Sequence, residues 1–443
     1  LGVTLFGVYS HRDEDRLYRG YNKYENRAVT ARFALTPNKD HDIVLEAGTA
    51  RQIYNSRPER TLEADEAPSF RKFEREHVAL THSGRWGNGL QSETYAQREE
   101  TKNLSRDMTI TNTTFRTAFN KAFGDHFTTA GLQYELNELV DTTTNTLSDR
   151  SDLDRWQYAL FVEDEWQLTD SFALTLGLRM DREKTSGVHW SPRVYGVYKL
   201  TDNWTVKGGV STGFRAPSMR QTIPDWGAVS RGGDMYGNPD LTPETSLTKE
   251  IGVVYEGNTG LNASLTLFHN DFDDKITRVP CPECGPANRF GRSPTTYVNV
   301  DKAVTRGVEA SLSMPLSDTL STTASYTYTD SEQKTGEYKG NPLNQLPRHM
   351  FNLSVNWEPN ERFNAWSRLS FRGKESEPTG GASASTTMAP SVTLVDLGGS
   401  YKYNKTVTLH AGIYNLLDKE VRYDDYSYVE DGRRLWLGMD IKF

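Results

Sequence analysis

The chain has 443 residues, a formal net charge of −8 and a mean hydropathy of −0.68. No stretch approaches the roughly 20 consecutive apolar residues that a membrane helix needs, so the chain is either soluble or crosses a membrane as strands. The acidic balance argues weakly against nucleic-acid binding. The 22 Tyr, 9 Trp, 18 Phe and 35 Gly, with only 2 Cys, favour a transmembrane β-barrel, because aromatic girdles and glycine-rich strands are typical of barrels. A soluble array of β-sandwiches is the alternative at this point.

Strands are predicted from the alternation of apolar and polar residues along the chain. After a strand-like opening, LGVTLFGVYS, the alternation is clearest in SFALTLGLRMD, residues 171–181. One face of that strand carries Phe172, Leu174, Leu176 and Leu178, and the other carries Thr175, Gly177 and Arg179. The same period recurs in residues 351–357 and 435–443. A period of two residues gives each strand one apolar and one polar face, so we expect the first face to meet lipid and the second to line a lumen.

The connections between strands are predicted to alternate between short turns and long loops. Short turns are expected at 36–42, 84–89, 123–126, 168–171, 200–203, 256–260, 316–319, 358–362 and 403–405. Long loops, rich in charged and aromatic residues, are expected at 12–25, 54–70, 140–154, 212–246, 277–297, 330–346, 374–390 and 417–432. Outer-membrane barrels have short periplasmic turns and long extracellular loops, so the pattern predicts an all-β, transmembrane antiparallel barrel of about 20 strands.

Four segments carry a resemblance to a known family. They are GFRAPSMRQ (213–221), GNPDLTPETSLTKEIGVVY (237–255), TRGVEASLS (305–313) and IYNLLDKEV (413–421). In these segments the chain resembles the TonB-dependent outer-membrane receptors. The stretches 213–246 and 424–443 are most similar to receptors of the ferric-catecholate and colicin I type, and the resemblance runs along the whole chain.

The resemblance implies that residues 1–443 form one barrel domain. Barrels of this family have about 22 strands and enclose an amino-terminal plug, as plugged outer-membrane transporters do. The sequence shows no plug and no TonB box, and we expect that the plug and the first two strands belong to a longer parent protein. In that case the first and last strands should leave a gap or pair imperfectly, and such an edge would favour aggregation and hinder assembly in membranes.

Loop 212–246 is the main candidate for ligand contact. The candidate side chains are Arg215, Arg220, Gln221, Trp226 and Arg231. A ferric tris-catecholate is a trianion with flat aromatic faces. Guanidinium groups supply charge and planar donors to such a ligand, and aromatic side chains stack on its rings. The alternative interpretation of Arg215 and of the turn NPDLTPET is structural, because the resemblance indicates that both recur in receptors for unrelated ligands.

Two further loops supply candidates at the external mouth. Tyr18 and Arg19 lie in loop 12–25, and Arg57 and Arg60 lie in the following loop, within SRPER. These four side chains are candidate ligand contacts in the outer vestibule. The alternative is a solvated loop that binds lipopolysaccharide phosphates or no ligand at all.

Cys281 and Cys284 form the motif CPECG in a proline-rich loop. A redox CxxC motif belongs near a βαβ unit, and half of a zinc site would need a second pair of ligands. Because the extracellular face is oxidising, we predict a disulfide between the two residues. The bond would stiffen the loop with a small entropic gain, since the closed ring is short.

No catalytic signature is found in the sequence. The 9 His are scattered, and the motifs HExxH, GxSxG and the P-loop are absent. We therefore expect no enzyme activity, no cofactor and no metal site, with iron carried only inside a ferric siderophore.

The sequence thus predicts an outer-membrane receptor of a Gram-negative bacterium that transports ferric siderophores, in particular catecholates. The resemblance implies that TonB supplies the energy through the plug. Expected partners are the siderophore, TonB, outer-membrane lipid with lipopolysaccharide, and a colicin as a further candidate; nucleic acid is not expected. The alternatives are a receptor for haem or cobalamin and, without a plug, a passive pore. Loop 212–246 contains no His, which disfavours haem.

Overall fold

The computed structural model describes residues 2–12, 21–56, 69–145, 147–228, 233–288, 291–300, 302–336, 339–343, 346–375, 389–420 and 432–441. The strands, in chain order, are β1 (Gly2–Arg12), β2 (Tyr21–Asn38), β3 (His41–Ser56), β4 (Ser69–Arg85), β5 (Gln91–Asn103), β6 (Met108–Phe123), β7 (His126–Asp141), β8 (Asp152–Thr169), β9 (Phe172–Glu183), β10 (Gly187–Lys199), β11 (Trp204–Arg215), β12 (Gly227–Ala228), β13 (Met235–Tyr236), β14 (Glu244–Glu256), β15 (Asn262–Asp273), β16 (Lys275–Pro280), β17 (Thr295–Val300), β18 (Ala303–Ser317), β19 (Leu320–Gln333), β20 (His349–Asn360), β21 (Phe363–Arg372), β22 (Val392–Lys402), β23 (Val407–Tyr414) and β24 (Arg434–Ile441). One short α-helix, α1 (Met219–Thr222), and one 3₁₀ turn (Pro282–Cys284) complete the described elements.

The architecture is a single antiparallel sheet of 20 strands that forms a barrel wall. Each wall strand pairs with the next one along the chain, and β11 pairs with β14 and β15 with β18 because the intervening strands form a separate sheet. The predicted all-β wall of about 20 antiparallel strands is therefore confirmed. Within the described residues no ladder joins β24 back to β1, and Leu437 on β24 is 82% exposed.

The wall has one apolar and one polar face, as the alternation predicts. Leu176 and Leu178 of β9 are 43% and 42% exposed and lie on one face, where Leu176 is opposite Val194. Gly177 lies on the other face, opposite Glu163 and Arg193, whose side chains are 3.2 Å apart. In a membrane the apolar face meets lipid, and the polar face lines the lumen.

The short turns lie where they were predicted, but the strict alternation of short and long connections is wrong in two places. The connection from β5 to β6 comprises only residues 104–107, and that from β9 to β10 only residues 184–186. Both lie at the end of the wall that otherwise carries the long loops. A hairpin turn of three or four residues satisfies the backbone there without a long loop.

The predicted loop 277–297 is partly ordered as strands. β16 and β17 form an antiparallel hairpin, and β17 pairs in parallel with β13, which in turn pairs with β12. The four strands form a small sheet that joins two connections, 216–243 and 274–302, at the extracellular end. Among the described residues, no helix is long and apolar enough to cross a membrane.

The orientation of β9 can be tested by cysteine labelling. With Leu176→Cys and Thr175→Cys variants in membranes, a lipid-soluble maleimide should label position 176 and spare position 175, because only the first faces hydrocarbon. Labelling of position 175 in preference to position 176 would contradict the assignment of the two faces.

Candidate ligand-binding site at the extracellular end

The connection from β11 to β14 lies against the wall at the extracellular end of β7 and β8. The side chain of Asn145 links the β7–β8 connection to the backbone of this loop. Its side-chain oxygen accepts a hydrogen bond from the Gly227 amide (3.1 Å), and its amide nitrogen donates to the carbonyl oxygen of Asp225 (3.2 Å). Ser148 donates to the same carbonyl at 2.9 Å. The loop is thus docked on the barrel mouth rather than projecting away from it.

Arg220 fixes the loop through a buried ion pair. Its guanidinium donates to the Asp141 carboxylate, whose side chain is fully buried. Asp141 also accepts hydrogen bonds from the amides of Thr143 (3.2 Å) and Thr144 (3.1 Å). A buried carboxylate needs such partners, because an unpaired charge is costly away from water. Arg220 therefore has a structural role in addition to its candidate role in binding.

Trp226 anchors the loop by packing. It is 1% exposed and lies in a small core with Leu139, Leu153 and Ala228. The Arg220 guanidinium lies 5.7 Å from its ring centroid, close enough for a cation–π interaction. In this arrangement the indole faces the protein, and its ring is not open to a ligand.

Gln221 caps the single turn of α1. Its side-chain oxygen accepts a hydrogen bond from the Ser218 amide at 2.7 Å, the reciprocal half of a capping box. The side chain thereby satisfies an amide that the helix itself leaves free.

Arg215, the last residue of β11, is exposed, unlike the anchoring residues Arg220 and Trp226. Its side chain is 79% exposed and lies 3.6 Å from Glu244, which is directly opposite on β14. Glu244 already accepts a hydrogen bond from the Ile276 amide at 2.7 Å. Arg215 thus has a loose ion pair and most of its guanidinium available to solvent, as expected of a residue that meets an anion.

A cavity of about 590 Å³ lies beside Arg215 on the lumen side of the wall. Two further arginines line it, Arg155 on β8 and Arg179 on β9. Arg179 donates to both oxygens of the buried Asp181 (2.8–3.0 Å), and Arg155 donates to the Pro217 carbonyl at 3.2 Å. The Asp181 carboxylate offsets part of the charge of Arg179, whereas Arg155 lies 4.0 Å from the Glu183 carboxylate. Arg215 is the most exposed of the three side chains, at 79% against 33% for Arg179 and 23% for Arg155.

The sequence did not single out Arg155 and Arg179 as site residues. Their positions in the alternation indicate that they face the lumen, and for Arg179 that face was predicted. Only the register of β8, β9 and β11 brings them to the same cavity as Arg215, and sequence spacing does not reveal it.

The remaining candidates fall outside the described residues. These are Arg231, Tyr18, Arg19, Arg57 and Arg60. Ligand contact by any of the nine candidate residues stays a prediction, although Arg220, Gln221 and Trp226 have structural partners that account for their positions.

The small sheet supports the outer side of the site. Cys281 and Cys284 are joined by a disulfide, and the Cys281 amide donates to the Pro294 carbonyl at 2.8 Å. Burial raises the pKa of the Tyr236 phenol, and the nearby Asp234 carboxylate adds to the rise. Within the described part of the chain, no group of three or more His, Cys, Asp or Glu side chains could hold a metal ion.

Comparison with known proteins identifies the family. Residues 2–416 match the family model "TonB dependent receptor-like, beta-barrel". The chain is 46% identical over 452 residues to the iron-regulated outer membrane virulence protein of Vibrio cholerae serotype O1 (El Tor Inaba), covering 100% of this chain and 69% of that protein. It is 28% identical over 447 residues to the ferrienterobactin receptor of Escherichia coli K12, covering 86% and 59%.

Solved structures have the same fold. The siderophore receptor PirA from Acinetobacter baumannii superposes with a TM-score of 0.85 at 22% identity, covering 100% of this chain and 75% of that chain. The chain therefore belongs to the TonB-dependent receptor β-barrel family, and it is a protein of the Gram-negative outer membrane. The Escherichia coli relative and the Acinetobacter baumannii protein are both named as receptors.

The docking of the loop can be tested with Arg220→Ala. Removing one partner of a buried ion pair costs about 3–5 kcal/mol, because the Asp141 charge is left without its counterion. Amide hydrogen exchange in residues 217–228 should then accelerate on the order of a hundredfold or more. Arg215→Ala is the matched control and should leave exchange in this segment unchanged. Equal exchange in the wild type and in Arg220→Ala would contradict the anchoring role.

Proposed function

We propose that this chain is the barrel and extracellular face of a receptor that imports ferric siderophores, in particular ferric catecholates. The observation that carries the proposal is the exposed Arg215 guanidinium at the lumen edge, beside a cavity lined by two further arginines. Bidentate guanidinium donors suit the oxygen-rich, anionic faces of a ferric tris-catecholate.

The relatives support the cargo class. The Escherichia coli relative is named as a ferrienterobactin receptor, and loop segment 213–246 of this chain resembles catecholate receptors. Cationic groups alone would accept any bulky anion, so the restriction to catecholates depends on this relationship rather than on charge.

The geometry supports a division of roles within the loop. Arg220 and Trp226 hold the loop on the wall, which keeps the Arg215 end of β11 in a defined position. Such preorganisation lowers the entropic cost of binding, because the ligand does not have to order the loop. Arg231 and the four residues of the two amino-terminal loops are proposed as further contacts in the outer vestibule.

The proposed transport mechanism is based on the family to which the chain belongs. We propose that a plug domain closes the lumen and that TonB acts on it to admit the cargo, so the barrel itself needs no cofactor. A colicin that uses the same mouth remains a candidate partner.

Binding can be measured by quenching of tryptophan fluorescence when a ferric catecholate is added to the purified full-length receptor. Arg215→Ala should weaken binding about ten- to a hundredfold, since a hydrogen bond to a charged group contributes about 1.5–3 kcal/mol. Arg220→Ala and Arg231→Ala should each weaken it as well, and the triple variant should weaken it most.

Arg98→Ala is the matched control. Arg98 also lies in a wall strand and has an ion pair of similar length, 3.5 Å to Glu138, but it projects from the apolar side of the wall. Binding by this variant should equal that of the wild type. A folded triple variant that binds as tightly as the wild type would remove the loop from the site, and a wild-type receptor that binds no ferric catecholate would refute the cargo.

A further inference from the structure

The lipid-facing side of the wall contains a groove of about 690 Å³ across β10, β11, β14 and β15. Its floor is formed where Gly196 and Gly208 lie directly opposite each other and neither carries a side chain. Apolar side chains flank the floor, among them Tyr198, Ile251 and Leu267, which are 44%, 57% and 49% exposed. A groove of this kind in hydrocarbon is filled by a chain of the surrounding lipid.

A lysine and a histidine close one end of the groove. Lys249 and His269 line it and lie opposite each other in register, one outward position nearer to the extracellular end than Ile251 and Leu267. Lys249 Nζ is 2.9 Å from the Asp271 carboxylate, and His269 Nε2 is 3.1 Å from it. Both side chains keep much of their surface exposed, 49% and 40%.

The charged row continues along the wall. Arg306 lies opposite His269 on β18 and donates to Asp330, which is opposite Arg306 on β19. Arg348 reaches the same carboxylate at 3.4 Å. Three permanent cations thus face two carboxylates in this patch, and His269 can add a fourth. Charge that faces lipid is unfavourable unless it is paired, so the excess calls for an anionic partner at this height.

The groove and the cationic row are close enough to contact the acyl chain and the headgroup of one lipid molecule. Val206 and Tyr198 lie at the far end of the groove, four residues along β11 from Val210, which is opposite Lys249. At about 3.4 Å per residue the groove extends about 14 Å along the strands from the cationic row. An acyl chain fills such a length when its headgroup lies at the row.

We propose that this groove binds one molecule of lipopolysaccharide through its lipid A. An acyl chain lies over Gly196 and Gly208, and a lipid A phosphate lies against Lys249, His269 and Arg306. The cations are at the extracellular end of the groove, so the lipid belongs to the outer leaflet, which in a Gram-negative outer membrane consists of lipopolysaccharide. The proposal depends on the location of the protein in the outer membrane and not on the identity of its cargo.

Native mass spectrometry of the detergent-purified receptor titrated with lipid A tests the site. Lys249→Gln combined with His269→Gln should raise the apparent Kd about ten- to a hundredfold, because charge-assisted contacts to the phosphate are lost. Gly196→Leu fills the groove and should weaken binding to a similar extent. A Cβ at Gly196 meets mainly the movable Phe172 ring, at 3.1 Å, whereas one at Gly208 would meet the Glu250 carbonyl oxygen at 2.6 Å. Gly196 is therefore a better position than Gly208 for a substitution that fills the groove.

Matched controls lie on the same outward face of the wall but on other strands, β3 and β5. Arg98→Gln removes an outward charge, and Ala47→Leu enlarges an outward side chain, without a groove beside either position; both should bind lipid A as the wild type does. Folding of every variant is checked by heat-dependent mobility on gels. Unchanged lipid A binding in the folded charge variant would overturn the proposal. Displacement of lipid A by an equal concentration of phosphatidylglycerol would also overturn it, since the site would then not be specific for the outer-leaflet lipid.

Discussion

Hydrocarbon offers no hydrogen-bond partner to a peptide group, so a strand in a membrane must pair along its whole length with neighbouring strands. Almost everything else in this chain depends on that constraint. Once the ladder between strands satisfies the backbone, only every second side chain has to be apolar. The remaining positions are free to carry the Glu163 and Arg193 pair or the Arg179 and Asp181 pair on the lumen side. For this reason a membrane protein can have a mean hydropathy of −0.68.

The same constraint separates two recognition surfaces on one wall. Successive side chains of a strand point to opposite faces, so odd-numbered residues of β11 face the lumen and even-numbered residues face lipid. Arg215 projects to the lumen side at the mouth, whereas Gly208 forms the floor of a groove on the lipid side. Charge has a different consequence on each face. On the lumen side, water or cargo solvates the arginines. On the outer side, the cations of β14 and β18 require paired carboxylates or an anionic lipid.

Much of the wall could be predicted from the sequence, because alternation is a local property. The faces of β9 and of β20 and the short turns follow directly from residues that are neighbours in the chain. The two-residue period does not determine how long a connection is, and so the short turns 104–107 and 184–186 were missed. The hairpin of β16 and β17 was missed for a related reason, since it is completed by β13, about 60 residues earlier in the chain and paired with β17.

The candidate site was predictable only in part. Loop 212–246 could be recognised from its composition, but the sequence does not show which of its polar residues are used internally. The partner of Arg220 is Asp141, 79 positions away, and Trp226 is buried against Leu139 and Leu153. Long-range contacts of this kind decide that Arg220 and Trp226 stabilise the loop while Arg215 is exposed, and Gln221 adds a local cap at Ser218. They also bring Arg155 and Arg179 to the cavity beside it.

Uptake of radioactive iron by cells tests the central claim most directly. A Gram-negative strain without its own siderophore receptors would express the full-length receptor, and each of four cargoes would be supplied in turn: a ferric catecholate, a ferric hydroxamate, haem and labelled cobalamin. The account predicts uptake of the catecholate alone, abolished when the proton-motive force is collapsed or TonB is deleted. Uptake of the hydroxamate, haem or cobalamin without uptake of the catecholate, or catecholate entry that persists without TonB, would contradict it.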